Sequence, residues 1–241
     1  MLHSHCTNTL IITLIALALA TVTAQISNNS RLLLVGGNLQ STNLYRRFIE
    51  MNEAPEGQKF IGLITAASDS PQESAQFYQD QFASLGVNHS SWIPIDEAHI
   101  SNNANKSVLS AIARMTGIFV GGGDQRRLVR CFCVTTSAAL RMDSPALALI
   151  RARFRSGELA IAGTSAGTAI MQGDGMVTGG EAYEALVGGA FPYVDERKPD
   201  NLSFDPLGGF NLFDFGLLDS VRQSCVCMNV SECACVCKSI L

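Results

Sequence analysis

Charged side chains are scarce in this 241-residue sequence, where they make up 16% of the residues. Acidic residues outnumber basic ones, 21 to 17, and the formal net charge is −4. This balance excludes the strongly basic surface with which a protein neutralises nucleic-acid phosphates. Apolar residues make up 47% of the chain, which is enough for one domain with a substantial core.

A long apolar run is also missing. The run at residues 10–22 is interrupted by two threonines and is shorter than the ~20 residues that a membrane-spanning helix needs. Small residues follow it immediately before Gln25. This pattern predicts a signal peptide over residues 1–24 and a secreted protein without stable membrane insertion. Five Asn-X-Ser acceptor sites are typical of a secreted glycoprotein: Asn28, Asn88, Asn105, Asn201 and Asn229.

The eight cysteines are distributed too unevenly for a disulfide scaffold, and five of them lie between residues 225 and 237. The closely spaced cysteines in this group, 225/227 and 233/235/237, are separated by a single residue, and no histidine accompanies them. Structural zinc sites usually have at least two residues between paired ligands. The sequence therefore predicts no metal and no cofactor.

The character of the sequence changes after Ser220. Residues 25–220 are predicted to form one domain, and residues 221–241 an aberrant Cys-rich tail. The tail alternates Cys-Val and Ala-Cys dipeptides, a pattern that fits neither helix nor strand packing. Such alternation is expected when a dinucleotide repeat is translated, which indicates a retained intron. A genuine Cys-rich tail is the alternative.

Short apolar runs alternate with helix-compatible segments through the predicted domain. The predicted strands are 31–35, 60–65, 92–95, 117–120 and 159–162. The predicted helices are 43–52, 71–85, 106–115 and 145–154. This alternation predicts a parallel sheet covered by helices on both faces. Pro94 favours an edge position for the third strand, and ligands are expected beyond the carboxyl ends of the strands.

The segment Gly163-Thr164-Ser165-Ala166-Gly167 has the spacing of a nucleophile elbow. An apolar run precedes it and a helix-compatible segment follows it, so the serine hydroxyl is expected at the carboxyl end of the sheet. A nucleophilic serine also needs two N–H donors for the oxyanion. Ala166 can supply one of them, and either Gly122 or Gly123 the other.

The histidine that usually activates such a serine is missing from the expected place, because none follows Ser165 in the sequence. All four histidines of the sequence lie upstream; two of them fall within the predicted signal peptide, which leaves His89 and His99. Of these, His99 is the candidate replacement, since it is expected near a strand end.

Gly122-Gly123-Asp124-Gln125, followed about forty residues later by the elbow, resembles the cyanophycinase and dipeptidase E family of serine peptidases. Similar segments lie at 34–37, 64–68 and 216–218, so the resemblance covers residues 31–220. It implies a doubly wound, mostly parallel α/β sheet of the flavodoxin or Rossmann kind, related to class I glutamine amidotransferases. It also implies hydrolysis at aspartyl residues, with an aspartyl peptide or cyanophycin-like polymer as substrate and a homodimer as assembly.

The resemblance also assigns roles to individual residues. Ser165 is implied as the nucleophile, with Gly123 and Ala166 as the oxyanion hole. Gln125 and Asp124 are implied to bind substrate. Glu181 is the implied triad acid, with Glu184 as the rival.

The sequence departs from the family where the triad histidine should follow. In the family an Asp-Gln-His-Phe run comes after Gly-Leu-Leu, whereas here Gly216-Leu217-Leu218 leads into the tail. The domain is therefore predicted to be truncated at its carboxyl end and weakly active or inactive. A non-catalytic protein that binds aspartyl peptides is the alternative. A lipase-type hydrolase is a third hypothesis, disfavoured because the chain lacks a His-Gly-Gly loop.

Overall fold

The computed structural model describes residues 29–37, 39–135, 141–173, 175–178, 190–191, 202–205, 208–213, 225–229 and 232–236. The predicted signal peptide, both candidate triad acids Glu181 and Glu184, and the segment 216–218 lie outside the described residues. Within the described ranges, no helix is both long and apolar enough to cross a membrane.

Twelve strands are described. They are β1 (Arg31–Val35), β2 (Phe60–Ile64), β3 (His89–Trp92), β4 (Gly117–Val120), β5 (Cys133–Thr135), β6 (Arg141–Asp143), β7 (Ala160–Thr164), β8 (Met176–Thr178), β9 (Ala190–Phe191), β10 (Leu202–Asp205), β11 (Cys225–Asn229) and β12 (Glu232–Val236). The main sheet has the order β12-β11-β1-β7-β4-β2-β3. Strands β1, β7, β4, β2 and β3 are mutually parallel. This confirms the predicted mostly parallel sheet.

Helices cover both faces of this sheet. They are α1 (Thr42–Met51), α2 (Pro71–Ser84), α3 (Lys106–Arg114), α4 (Gln125–Phe132), α5 (Pro145–Arg155) and α6 (Ala166–Ala169). Alternate residues of β1 enter two separate cores, because side chains alternate across a strand. Leu33 packs with residues of α1 and α2, whereas Leu34 packs with residues of α3, α4 and α5. The fold is therefore a doubly wound α/β sandwich, as predicted.

Helix α4 was not predicted from the sequence. It begins directly after the glycine-rich turn, and three arginines interrupt its apolar pattern. Its buried residues Leu128, Cys131 and Phe132 nevertheless have helical spacing. That three-residue stripe is the signal from which the helix could have been found. Burial raises the pKa of the Cys131 thiol to about 12, so this cysteine serves as a core residue.

The predicted position of the third strand was wrong by three residues. The strand spans His89–Trp92, not residues 92–95, although it lies at the sheet edge as expected. Three of its four residues are polar and none is fully buried, which suits an edge strand paired with β2. Pro94 falls beyond the strand, where no ladder N–H is required.

The interpretation of the tail as unsuited to strand packing was also wrong. Strand β11 pairs antiparallel with β1, and β12 pairs antiparallel with β11. Antiparallel pairing is made by backbone groups and needs only a chain of suitable length beside an available edge. The otherwise parallel sheet thus ends in an antiparallel hairpin next to β1.

A late segment, residues 208–213, lies against the chain that follows β7. The backbone N–H of Phe210 donates to the carbonyl of Ile170, and the N–H of Leu212 donates to the carbonyl of Met171 at 3.0 Å. The Phe210 ring packs against Phe132 of α4, with ring centroids 5.3 Å apart. Residues distant in sequence therefore support the base of the short helix α6.

Candidate active site

Ser165 lies between β7 and α6, where strand turns directly into helix. Its backbone has φ 54° and ψ −121°, a conformation that costs free energy for a residue with a side chain. The turn is held by the Ser165 N–H, which donates to the carbonyl of Val35 at 3.1 Å. A strained serine on a strand-to-helix turn is the geometry of a nucleophile elbow.

Both glycines of the elbow are required by backbone packing. A Cβ on Gly163 would collide with the carbonyl of Gly167. A Cβ on Gly167 would collide with the carbonyl of Val120 and lie 2.9 Å from the carbonyl oxygen of Gly121. The motif therefore allows α6 to approach the ends of β7 and β4 at backbone contact distance.

The three glycine-rich turns meet at one rim because β7 lies between β1 and β4. A Cβ on Gly37, after β1, would lie 3.9 Å from Ser165 Oγ. A Cβ on Gly122, after β4, would lie 3.6 Å from the same oxygen. The parallel topology thus brings the turns together around Ser165, as the sequence predicted.

The backbone N–H groups near Ser165 differ in whether they already donate a hydrogen bond within the protein. In the turn after β4, the N–H of Gly121 donates to Ile64 at 2.8 Å and that of Asp124 to Ala67 at 2.9 Å. Within the described part of the chain, the N–H groups of Gly122, Gly123 and Ala166 make no hydrogen bond. Gly123 and Ala166, the pair implied for the oxyanion hole, are therefore among three donors available to an incoming oxygen.

Thr168 connects the elbow to β1 through side-chain hydrogen bonds, a role that was not predicted from the sequence. Its buried hydroxyl accepts from the N–H of Val35 at 3.1 Å. The same oxygen lies 2.5 Å from the carbonyl oxygen of Val35 and 2.7 Å from that of Gly163. A single polar side chain in an apolar, helix-compatible segment was the signal for this contact.

Replacing Thr168 by valine is expected to lower the free energy of unfolding by about 1–3 kcal/mol, because the buried Val35 N–H loses its side-chain acceptor. Urea denaturation of Thr168→Val beside Thr168→Ser measures this loss. Serine keeps the hydroxyl and is expected to cost about 1 kcal/mol or less for its missing methyl group. Equal stability of the two variants would contradict the assigned hydrogen bonds.

Asp124 and Gln125, the implied substrate-binding residues, lie at the start of α4. Asp124 Oδ1 caps the helix by accepting from the Arg126 N–H at 2.8 Å, and the carboxylate also pairs with the Arg126 guanidinium at 3.2 Å. Gln125 Nε2 donates to the carbonyl of Val177 at 3.2 Å, whereas its amide oxygen makes no hydrogen bond within the described residues. The Gln125 oxygen is thus the better placed of these groups to accept from a ligand.

Charged pairs connect α4 to the neighbouring loops of the rim. Arg127 contacts Asp69 after β2 at 2.6 Å and Glu97 after β3 at 3.7 Å. Its hydrogen bond to Asp69 raises the pKa of the Arg127 guanidinium further above its usual range. Arg130 also pairs with Glu97, at 2.8 Å. These pairs are largely exposed, so they orient the loops more than they stabilise the fold.

The structure does not bring His99 to Ser165. The His99 Nδ1 atom lies 2.8 Å from Asp96 Oδ1, and the ring packs edge-on against Trp92 at the end of β3. Strand β3 is separated from β7 by β2 and β4, a distance of roughly 14 Å at the usual strand spacing. His89 lies on the same edge strand and is exposed. Neither described histidine is within hydrogen-bond reach of Ser165.

Comparisons with known proteins match the part of the chain that contains this site. The family model described as "Peptidase family S51" matches residues 32–186. A cyanophycinase from Synechococcus elongatus is 33% identical over 128 residues, which are 52% of this chain and 35% of that protein. A cyanophycinase from Trichormus variabilis is 30% identical over 161 residues, 66% of this chain and 49% of the relative.

The chain therefore spans half or less of the length of these curated relatives. Among solved structures, a peptidase from an acI-B1 Actinobacterium aligns with 22% identity and a TM-score of 0.47, over 62% of this chain and 59% of that one. The family model covers more than half of the chain, including β1, the turn after β4 and the elbow. On this basis, the chain belongs to peptidase family S51.

Proposed function

We propose that this chain is a serine peptidase that acts on peptide or isopeptide bonds at aspartyl residues, with Ser165 as the nucleophile. The observation that carries the proposal is the strained backbone of Ser165 beside the unused N–H groups of Gly123 and Ala166. A nucleophile and two oxyanion donors at one strand end are two of the three parts that acyl transfer needs, and the third is a base.

In this mechanism Ser165 Oγ attacks the carbonyl carbon of the scissile bond. A base takes the hydroxyl proton, and the carbonyl oxygen becomes an oxyanion held by the N–H groups of Gly123 and Ala166. Collapse of this intermediate breaks the C–N bond, the base returns the proton to the leaving amine, and an acyl-enzyme ester remains. Water then hydrolyses the ester by the reverse sequence of proton transfers and releases Ser165.

The proposed turnover of this chain is weak or absent, because none of the described residues near Ser165 is a histidine that could act as the base. No histidine follows Ser165, and the two described histidines lie at the far edge of the sheet. Glu181, or its rival Glu184, is retained as the proposed triad acid. Loss of one triad member typically lowers turnover by about 10⁴-fold or more.

The aspartyl-peptide substrate class is supported by the cyanophycinase relatives and by the amide oxygen of Gln125. A second candidate function follows from the position of the histidines. A chain that keeps the donors and lacks a base would bind an aspartyl peptide without cleaving it.

The test is to measure both binding and hydrolysis of a β-aspartyl-arginine dipeptide by the purified chain. Ser165→Ala is the control for turnover, and alanyl-arginine, which lacks the side-chain carbonyl, is the control ligand. Binding with slow turnover that disappears in Ser165→Ala is the expected result. Binding with no turnover in either chain would favour the non-catalytic function. No preference for the aspartyl dipeptide over the control would overturn the substrate class.

We propose in addition that the protein enters the secretory pathway. The support is the pattern of residues 1–24 together with the acceptor sites for N-glycosylation. Expression in a eukaryotic secretory host, followed by mass measurement before and after glycan removal, would test it.

A further inference from the structure

Asn105 is both an acceptor site for N-glycosylation and the residue that caps helix α3. Its side-chain Oδ1 accepts from the backbone N–H of Ser107 at 2.9 Å, and its backbone carbonyl accepts from the N–H of Leu109 at 2.9 Å. The first N–H groups of a helix have no partner within the helix, so an oxygen that accepts from one of them stabilises it. The Oδ1 atom of Asn105 therefore has a structural role.

The side-chain nitrogen of Asn105 has no such role. Among the described residues, its Nδ2 atom has no hydrogen-bond partner. The two asparagines just before it differ in this respect. Asn102 Nδ2 donates to the carbonyl of Pro94 at 2.7 Å, and Asn103 Nδ2 donates to the carbonyl of Ile100 at 3.0 Å. In this part of the described chain, Asn105 is thus the asparagine whose nitrogen can form a covalent bond without breaking a contact.

The whole acceptor sequence around Asn105 lies at the surface. Asn105, Lys106 and Ser107 are all exposed. At the acceptor site of Asn28, by contrast, Ser30 is buried and its hydroxyl is hydrogen-bonded within the fold. A glycan is bulky and hydrophilic, and it is attached while the chain is being made, so the modified asparagine must remain accessible after folding. Asn105 meets this requirement.

We propose that Asn105 carries an N-linked glycan, attached through Nδ2 while Oδ1 continues to cap α3. This proposal rests on the proposed entry into the secretory pathway. The donor is an oligosaccharide linked to a lipid diphosphate. The bond between C1 of its first sugar and the diphosphate breaks, and a bond from that carbon to Nδ2 forms. Nδ2 loses one proton, the lipid diphosphate leaves, and Oδ1 is unchanged.

The test is peptide mapping by mass spectrometry after enzymatic glycan release in heavy-oxygen water, which converts a modified asparagine into labelled aspartate. The full chain is expressed in a eukaryotic secretory host, both alone and behind an added signal peptide of established function. Label at Asn105 is the expected result. Ser107→Ala, which removes the acceptor sequence and keeps the cap, is expected to lose one glycan, whereas the matched control Ser107→Thr is expected to keep it.

An unlabelled Asn105 in the chain with the added signal peptide would overturn the proposal, whether or not other sites carry glycans. Label at Asn105 only when that signal peptide is present would support the glycosylation site and contradict the secretory role of residues 1–24. The two failures are therefore distinguishable.

Two further variants test whether Oδ1 remains the cap. Asn105→Asp and Asn105→Ala both remove the glycan, but aspartate keeps an oxygen that can accept the Ser107 N–H. Asn105→Ala is expected to melt about 2–4 °C below Asn105→Asp. Equal melting temperatures of the two variants would overturn the division of roles between Oδ1 and Nδ2.

Discussion

Gly167→Ala is expected to lower the free energy of unfolding by about 3 kcal/mol, the upper range for an overpacked core. The added methyl group would collide with the Val120 carbonyl and approach the Gly121 carbonyl. Both are backbone groups at the end of a central strand, so the clash cannot be relieved by a side-chain rotation. Relief requires α6 to move away from β4, and Ser165 moves with it.

Chemical denaturation of Gly167→Ala beside Gly37→Ala measures this effect. Gly37 lies on the same rim, but an added Cβ would have its nearest neighbour at 3.9 Å, an ordinary contact distance. Its substitution is expected to change the free energy of unfolding by about 0.5 kcal/mol or less. Similar losses in both variants would contradict this explanation, because the loss in Gly167→Ala would then not come from the close approach of α6 to β4.

Phe119→Ala is expected to cost about 3–5 kcal/mol, the range for removing a buried aromatic ring. Phe119, a residue of β4, is 1% exposed and lies at the centre of an aromatic cluster on one face of the sheet. Its ring centroid is within 4.8–6.0 Å of four others: Tyr45, Phe48, Tyr78 and Phe82. Removing it leaves a cavity on the face of the sheet covered by α1 and α2.

The matched control is Phe77→Ala, which removes the same side chain from the neighbouring helix. Phe77 is 54% exposed, so its loss is expected to cost less than about 1 kcal/mol. Thermal unfolding of the two variants gives the comparison. A Phe119→Ala chain as stable as Phe77→Ala would contradict the packing of this cluster. Because Tyr78 belongs to the cluster and its ring packs against Gly121, Phe119→Ala is also expected to loosen the turn after β4.

The parallel sheet and most of its helices were predictable, because the spacing of apolar residues and the residues that begin a helix can both be read from short stretches of sequence. Strand β1 and strand β4 were predicted with their observed bounds, and Pro71 and Pro145 correctly marked the starts of α2 and α5. The errors occurred where local sequence says little. The edge strand β3 has few apolar residues, and β11 depends on an available edge elsewhere in the chain.

The meeting of the glycine turns around Ser165 followed from topology once the strands were recognised. The supporting contacts did not, because they join residues far apart in sequence. Thr168 holds Val35 across 133 residues, and Tyr78 reaches the backbone of Gly121 through the packing of α2 on the sheet. Such contacts depend on side-chain packing that no local pattern encodes. The distance of His99 from Ser165 likewise required the strand order.

The order of the strands also has a consequence for biosynthesis. Strand β7 is the last of the five parallel strands to be made, yet it lies in the middle of them, between β1 and β4. In a nascent chain that ends before residue 160, β1 and β4 therefore each have an unpaired edge, because the strand that pairs with both has not yet been made. Such edges invite pairing with other chains, and closing them requires contacts of high sequence separation, which form slowly. Ser165 directly follows β7, so the elbow cannot form before the strand that closes the sheet has been made.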